Sequence, residues 1–289
     1  MEIAVISGKG GTGKSSISAA FATIGDRVVL ADCDVDAANL YLLFNPENED
    51  KESFISGHKA KIDYDSCTNC GICVSYCRFE GIIYKDDIVS INEINCDGCF
   101  LCSRICPFGA ISMVSNDKSQ MLSGSFRNGK MVYGRLAPGE ENTGKLVNLV
   151  RTRAKKLSEE NHLETIIIDG PPGTGCPVIS TITGADKVVV VTEPTVSGLN
   201  DMMRVIEITK NFSNQTAVII NKHDLNTSLS DQIAEWCKSN DISIAGYLPF
   251  SDEMVKAMVE GKSIIEYAPR HPISDNLRKI WKTVMDQKE

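Results

Sequence analysis

Residues 8–15 read Gly-Lys-Gly-Gly-Thr-Gly-Lys-Ser, between an apolar run at 3–6 and a helix-forming stretch at 15–24. A glycine-rich turn in that strand-to-helix context is a phosphate-binding loop. Gly8, Gly10, Gly11 and Gly13 let backbone N–H groups converge on phosphate oxygens, and the helix start that follows adds positive potential. Lys14 is placed to reach the β and γ phosphates and Ser15 to ligate magnesium, with Thr12 and Ser16 completing the cradle.

Outward from the loop, short apolar runs at 28–31, 165–168, 188–191, 217–220 and 242–247 have the length of buried strands. Helical stretches at 144–157, 200–210, 230–239 and 275–285 alternate with them. This is the pattern of an α/β fold, a doubly wound, mostly parallel sheet covered on both faces. A cysteine-rich block interrupts it, so the expected organisation is a nucleotide domain at 1–60 and 118–289 with a small α+β insertion at 61–117. Segment 45–60, rich in Asn, Glu, Asp, Ser and Lys, reads as the linker into the insertion. Stretches 121–126 and 130–136, flanking Asn128-Gly129, read as a β-ribbon leading back. Residues 139–145 spell G-x4-G-K without a following Ser or Thr, and read as a turn feeding a helix.

The 289 residues are 42% hydrophobic, 24% charged and 6% aromatic, a globular composition that excludes disorder and coiled coil. No apolar run approaches the roughly 18 residues of a membrane span, and the start Met-Glu-Ile-Ala-Val-Ile has no basic leader, so a cytoplasmic location is expected. Thirty Lys and Arg against 38 Asp and Glu leave a net charge of −8, which opposes the counterion release that drives nucleic-acid binding. No nucleic-acid partner is expected.

Eight of the eleven cysteines fall between 67 and 106, in two copies of one pattern 29 residues apart. Cys67, Cys70, Cys73 and Cys77 recur as Cys96, Cys99, Cys102 and Cys106, while Phe79 and Ile82 recur as Phe108 and Ile111. Thiolates spaced x2, x2, x3, the second run ending Cys106-Pro107, are the bacterial ferredoxin run that binds [4Fe–4S] clusters. Zinc is the competing metal, but its four-cysteine sites usually pair two separated CxxC knuckles. Because the fourth cysteine of each run ligates the other cluster, Cys67, Cys70, Cys73 and Cys106 are expected to hold one, and Cys96, Cys99, Cys102 and Cys77 the second. Arg78 follows Cys77 where a proline follows Cys106; its cation favours the more negative reduced state, so the two potentials should differ.

Lys9, one residue into the loop, is not required by an ordinary phosphate loop. With it the chain resembles the deviant Walker A ATPases, a superfamily that includes MinD and ParA proteins, Mrp-type cluster carriers and the nitrogenase iron protein. The resemblance implies that Lys9 reaches across a nucleotide-sandwich dimer to the partner's phosphates, as a catalytic group beside Lys14. Asp32-Cys33-Asp34 is similar to the family's first switch, where Asp34 orients the attacking water. Asp169, after the run at 165–168, resembles the Walker B aspartate near magnesium, and Gly-Pro-Pro-Gly-Thr-Gly at 170–175 resembles the second switch. Carboxylates at the carboxyl ends of strands beside a phosphate loop lie where open sheets bind ligands. Asn221-Lys222-His223-Asp224 formally matches the guanine-reading NKxD motif, whereas in the resembled family the asparagine reads adenine. ATP is favoured, with GTP left open through Asp224.

Cys176 lies seven positions after Asp169, the spacing at which the nitrogenase iron protein carries a cysteine for a cluster shared across its dimer axis. The competing reading is a packed thiol at a helix start, and Cys33 and Cys237 read as packed thiols too. Leu277, Ile280, Trp281 and Val284 form an apolar stripe similar to the membrane-targeting helix of MinD proteins, but 270–289 carries only +2, so no stable membrane anchor is expected. The resemblance implies ATP, Mg2+ and two clusters as cofactors, ATP and ADP as ligands, a homodimer or a heterodimer with a related ATPase, and a redox or iron–sulfur client protein. Its leading expectation is ATP hydrolysis coupled to electron transfer. Cluster assembly or delivery, and MinD-like positioning with structural clusters, are the alternatives.

Overall fold

The computed structural model describes residues 1–127, 129–140, 144–212 and 215–286, the side chains at 48 and 49 excepted. It divides into two compact units, one of residues 1–51, 121–134 and 142–289, the other of residues 52–120 and 135–141. Strand β1 (Glu2–Ser7) leads into α1 (Lys14–Ile24), β2 (Val29–Asp32), the short α2 (Leu40–Phe44) and β3 (Glu47–Phe54). The cysteine-rich unit supplies β4 (Gly57–Ile62), α3 (Ile72–Tyr76), β5 (Ile82–Lys85), β6 (Ile88–Ile91), α4 (Leu101–Ile105) and β7 (Ile111–Asn116). The chain returns through β8 (Ser119–Phe126) and β9 (Gly129–Arg135), then α5 (Lys145–Glu160), β10 (Ile166–Pro172), α6 (Cys176–Ile182), β11 (Lys187–Thr192) and α7 (Val196–Thr209). It ends with β12 (Gln215–Asn221), α8 (Thr227–Ser239), β13 (Ser243–Leu248), α9 (Asp252–Val259), α10 (Ile264–Tyr267) and α11 (Pro272–Asp286).

Among the described residues one sheet runs in the order β13-β12-β11-β1-β10-β2-β9-β8-β3. Its pairings from β13 through β9 are parallel. β1, β2 and β11 are buried along their whole length, which is why they read as unbroken apolar runs rather than alternating ones. From β1 the chain moves to one side of the sheet, and after β10 it crosses to the other. The strand order therefore reverses beside β1, and the carboxyl ends of β1 and β10 frame the crevice where such sheets bind ligands.

Three expectations are corrected. Segment 45–60 is not a linker: 47–54 is the edge strand β3, where Asp50 pairs with Arg153 and accepts from Ser123 Oγ at 3.5 Å. Its polar composition suits an exposed sheet edge. Residues 118–120 and 135–141 belong with the cysteine unit rather than the core. Ala137 N donates to Ser119 Oγ at 2.9 Å, Asn116 Nδ2 donates to Glu140 Oε1 at 2.6 Å, and a Cβ on Gly139 would stand 2.4 Å from the carbonyl of Ile94. Asp169 does not end its strand, because β10 continues to Pro172, which pairs with Ser7. Asn128 of the expected turn and 141–143 ahead of α5 lie outside the described residues, although β8 and β9 are neighbours.

The C-terminal stripe is consumed by the core. Leu277, Ile280 and Val284 are buried, Trp281 sits 5.1 Å from the ring of Phe21, and Lys187 Nζ caps the end of α11 at the carbonyls of Val284 (2.6 Å) and Met285 (3.1 Å). No described helix is long and apolar enough to cross a membrane.

The 29-residue repeat is structural in the cysteine unit. α3 and α4 start at 72 and 101, β5 and β7 at 82 and 111, and each helix is preceded by a left-handed residue, Gly71 (φ 74°) or Phe100 (φ 64°). β4 pairs antiparallel with β7, and β5 with β6.

Candidate nucleotide site and cysteine cavities

The loop at 8–13 takes its shape from glycines, three of which leave no room or conformation for a side chain. Gly11 (φ 80°) and Gly13 (φ 90°) are left-handed. A Cβ on Gly8 would lie 2.5 Å from the backbone of Asp201 in α7, and one on Gly13 would lie 2.4 Å from Asn221 Nδ2. Ser7, Gly10, Thr12, Lys14, Ser15 and Ser16 line a common cavity, joined by Asp34, Pro171, Pro172 and Met258. Thr12 Oγ1 is buried there without a hydrogen-bond partner among the described residues, a donor in a cradle built for phosphate oxygens.

Asp169 is fully buried and accepts from Lys14 Nζ (3.1 Å), Ser15 Oγ (2.7 Å) and Ser18 Oγ (2.7 Å). Asp34 Oδ2 lies 3.3 Å from Lys14 Nζ. Burial alone would depress the Lys14 ammonium, but Asp169, Asp34 and Asp32 raise it above an ordinary lysine. Burial pushes Asp34 up against the pull of Lys14. Asp32, also fully buried, is pushed up to about 8 by burial and by the charge of Asp169, while it accepts from the backbone N–H groups of Asp34, Asn39 and Leu40. The sequence therefore brings Lys14, Ser15, Asp34 and Asp169 together as expected. It did not announce Ser18 or the raised carboxyl of Asp32, whose only signal was a second carboxylate at a strand end. Two carboxylates, a hydroxyl and a cavity of oxygen donors are a hard-cation environment and fit Mg2+, which Ser15 and Asp169 would hold.

Lys9 folds back on its own chain. Its ammonium meets Glu193 Oε1 at 2.7 Å, Thr195 Oγ1 at 3.0 Å and Ser197 Oγ at 3.1 Å. The other Glu193 oxygen takes Lys222 Nζ at 2.8 Å, and Lys222 also donates to the carbonyl of Gly11 at 3.0 Å. Burial works against the Glu193 charge, but hydrogen bonds from Lys222 and Lys9 hold its carboxyl below the ordinary glutamate value. Glu193 was missed in the sequence, where it is one acid after an apolar strand.

Asn221 and Asp224 are engaged within the chain. Asn221 Nδ2 donates to the carbonyl of Thr12 at 2.7 Å and its Oδ1 accepts from Lys222 N at 3.0 Å, while Asp224 Oδ1 accepts from Phe250 N at 2.7 Å. Cys176 is exposed at the start of α6, so the packed-thiol reading is corrected there; Cys33 and Cys237 are buried. Burial raises the Cys33 thiol and pushes that of Cys237 up to about 11, as expected of inert packed thiols.

In the cysteine unit, Cys67, Cys70, Cys73 and Cys106 line one cavity with Ile62, Val89 and Pro107. Cys96, Cys99, Cys102 and Cys77 line a second with Arg78, Phe79 and Leu101, and Cys73 borders it as well. Ala110 N donates toward Cys106 Sγ (3.4 Å) and Ala60 N toward Cys96 Sγ (3.5 Å). Among the described residues, no three His, Cys, Asp or Glu side chains converge as ligands of a single metal ion.

Residues 3–264 match the family described as the CobQ/CobB/MinD/ParA nucleotide binding domain. An uncharacterised protein of Methanocaldococcus jannaschii, MJ0578, is 38% identical over 229 residues, 78% of this chain and 79% of that one. The septum site-determining protein MinD of Pyrococcus horikoshii OT3, solved complexed with Mg-ADP, shares the fold at a TM-score of 0.58 and 17% identity, over 99% of this chain and 96% of its own. A shorter likeness, 45% identity over 49 residues, relates 16% of this chain to 30% of an uncharacterised ferredoxin of M. jannaschii, MJ0265. On the family match, with the glycine loop, buried Lys14 and Asp169 already in place, the chain belongs to the CobQ/CobB/MinD/ParA nucleotide-binding family and is a nucleotide-hydrolysing P-loop ATPase.

Proposed function

We propose that the protein is a dimeric ATP switch that couples hydrolysis to electron transfer through two [4Fe–4S] clusters in its cysteine unit. The observation that carries the reading is the partition of eight thiols. Each of two cavities is lined by three cysteines of one run and the fourth of the other, with Cys73 bordering both. A single zinc ion needs its four sulfurs about 2.3 Å from one point, whereas a cubane spreads its thiolates around a larger core. Cys67, Cys70, Cys73 and Cys106 would hold one cluster and Cys96, Cys99, Cys102 and Cys77 the other, and bound clusters supply one-electron chemistry at potentials set by their surroundings.

In the ATPase unit, Lys14 and the loop N–H groups bind and orient the β and γ phosphates, and Asp34 positions the attacking water. Magnesium, when bound, supplies Lewis-acid stabilisation of the developing charge. Lys9 acts on the nucleotide of a dimer partner. The engagement of Asp224 by Phe250 N supports adenine over guanine, since a guanine reader needs that carboxylate. Exposed Cys70 and Cys99 support a second reading, delivery of clusters to a client protein. The burial of the α11 stripe speaks against membrane positioning.

The deciding measurement is the reduction potential of each cluster, followed by electron paramagnetic resonance in anaerobically reconstituted protein with ATP, ADP and no nucleotide. Nucleotide-dependent potentials with reversible reduction are expected. Protein that stays colourless after reconstitution refutes the clusters. Potentials indifferent to nucleotide, with ATPase turnover indifferent to reduction, refute the coupling. Prompt cluster transfer to an apo acceptor selects the delivery reading.

A further inference from the structure

We infer that Glu193 is the positioning residue of Lys9: its carboxylate holds the lysine against its own subunit, and Lys9 reaches a partner's nucleotide only when that ion pair opens. The inference rests on the proposed trans role of Lys9. All three donors of the Lys9 ammonium have acceptors within a five-residue segment, Glu193 at 2.7 Å, Thr195 at 3.0 Å and Ser197 at 3.1 Å, so the retracted position satisfies the group fully.

Glu193 is a fixed anchor. Its second oxygen is tied to Lys222, which is itself tied to the Gly11 carbonyl, and the Glu193 carbonyl accepts from Thr195 N at 2.7 Å. A Cβ on Gly198 would stand 2.2 Å from that carbonyl, so the turn is pressed against the start of α7. Gly8 in turn abuts Asp201 of the same helix. The root of Lys9 and its anchor thus belong to one block, and only the side chain of Lys9, about a quarter exposed, is free to swing. One carboxylate separates two ammonium groups here. Neutralising it removes the hold on Lys9 and leaves Lys9 and Lys222 repelling each other, which drives Lys9 outward.

The test is the dimer dissociation constant, by sedimentation of the full-length protein with Mg2+ and a non-hydrolysable ATP analogue. Glu193→Gln is expected to tighten the dimer about fivefold, the scale of a partly exposed ion pair. Ser197→Ala, which removes one neutral acceptor, should shift it the same way by less, and serves if Glu193→Gln does not fold. In a Lys9→Ala background the Glu193→Gln effect should vanish, an outcome that a merely structural Glu193 would not give. Unchanged or weaker dimerisation of folded Glu193→Gln, or an equal effect without Lys9, overturns the inference. A Lys9→Ala protein that dimerises and hydrolyses ATP normally overturns instead the trans-lysine reading beneath it.

Discussion

Gly13→Ala isolates the geometry that makes the loop a phosphate cradle. Residue 13 has φ 90°, a conformation that costs a side chain about 1–2 kcal/mol. The added Cβ would also lie 2.4 Å from Asn221 Nδ2, far inside contact distance. Asn221 is only 7% exposed and is held at both polar ends, to Thr12 O at 2.7 Å and from Lys222 N at 3.0 Å. Moving it aside leaves a buried carbonyl unpaired, a further cost of about 1–3 kcal/mol. The two effects together destabilise by about 2–5 kcal/mol. If even a third of that falls on the binding-competent loop, fluorescent-nucleotide affinity drops severalfold. Denaturant unfolding of Gly13→Ala, Asn221→Ala and the double variant reads the parts separately. In the Asn221→Ala background the clash is gone and only the dihedral cost remains, so the pair should be strongly non-additive. Gly10→Ala, whose Cβ would meet nothing within 4 Å, is the control and should stay within about 0.5 kcal/mol of wild type. A Gly13→Ala cost under about 0.5 kcal/mol, or one unchanged by removing Asn221, would refute the reasoning.

Asp169→Asn removes the charge that faces Lys14, Ser15 and Ser18, and ATP turnover should fall about 100- to 1000-fold with a weakened response to Mg2+ in a steady-state titration. Cys77→Ser and Cys106→Ser should each abolish one of two paramagnetic signals, and not the same one, because the two thiols line different cavities. Asp32, with a folded value of about 8 against 3.8 unfolded, keeps a proton in the native state that the unfolded chain has released. The contribution of Asp32 to nucleotide-free stability should therefore be most favourable below about pH 4, fall as pH rises through the window to about 8, and level off above it; the difference in melting temperature between wild type and Asp32→Asn across that range checks the sign.

Local chemistry and spacing made much of this molecule legible. The central strands are apolar because both faces are covered, the loop glycines stand where φ must be positive, and the 29-residue cysteine repeat reappears as paired helix starts at 72 and 101. What stayed hidden depends on long-range approach. Glu193 and Lys9 are 184 positions apart and meet only because β11 lies beside β1. The acid character of Asp32 arises from burial and from Asp169, neither visible in a stretch reading Asp-Cys-Asp. The polar edge strand β3 carried no apolar alternation, so its composition read as a linker.

The first helix after β9 is α5. Its cap, Gly144, has φ 84° and no space for a side chain, a Cβ there standing 2.6 Å from Ser180 Oγ. In the second turn, buried Arg151 donates to the carbonyls of Ser180 (2.7 Å) and Thr183 (2.6 Å) and pairs with Glu2 of β1. These carbonyls close α6, which begins at Cys176, directly after the strand end and turn at 170–175 that flank the phosphate cavity. Close-packed helices shift as units rather than deform, so a rearrangement of that segment either leaves α6 where it is or moves α5 with it. Breaking Arg151 away from two carbonyls and a buried carboxylate would cost several kcal/mol, more than carrying α5 along. A rearrangement of the nucleotide-flanking segment that displaces α6 is therefore expected to carry α5 with it.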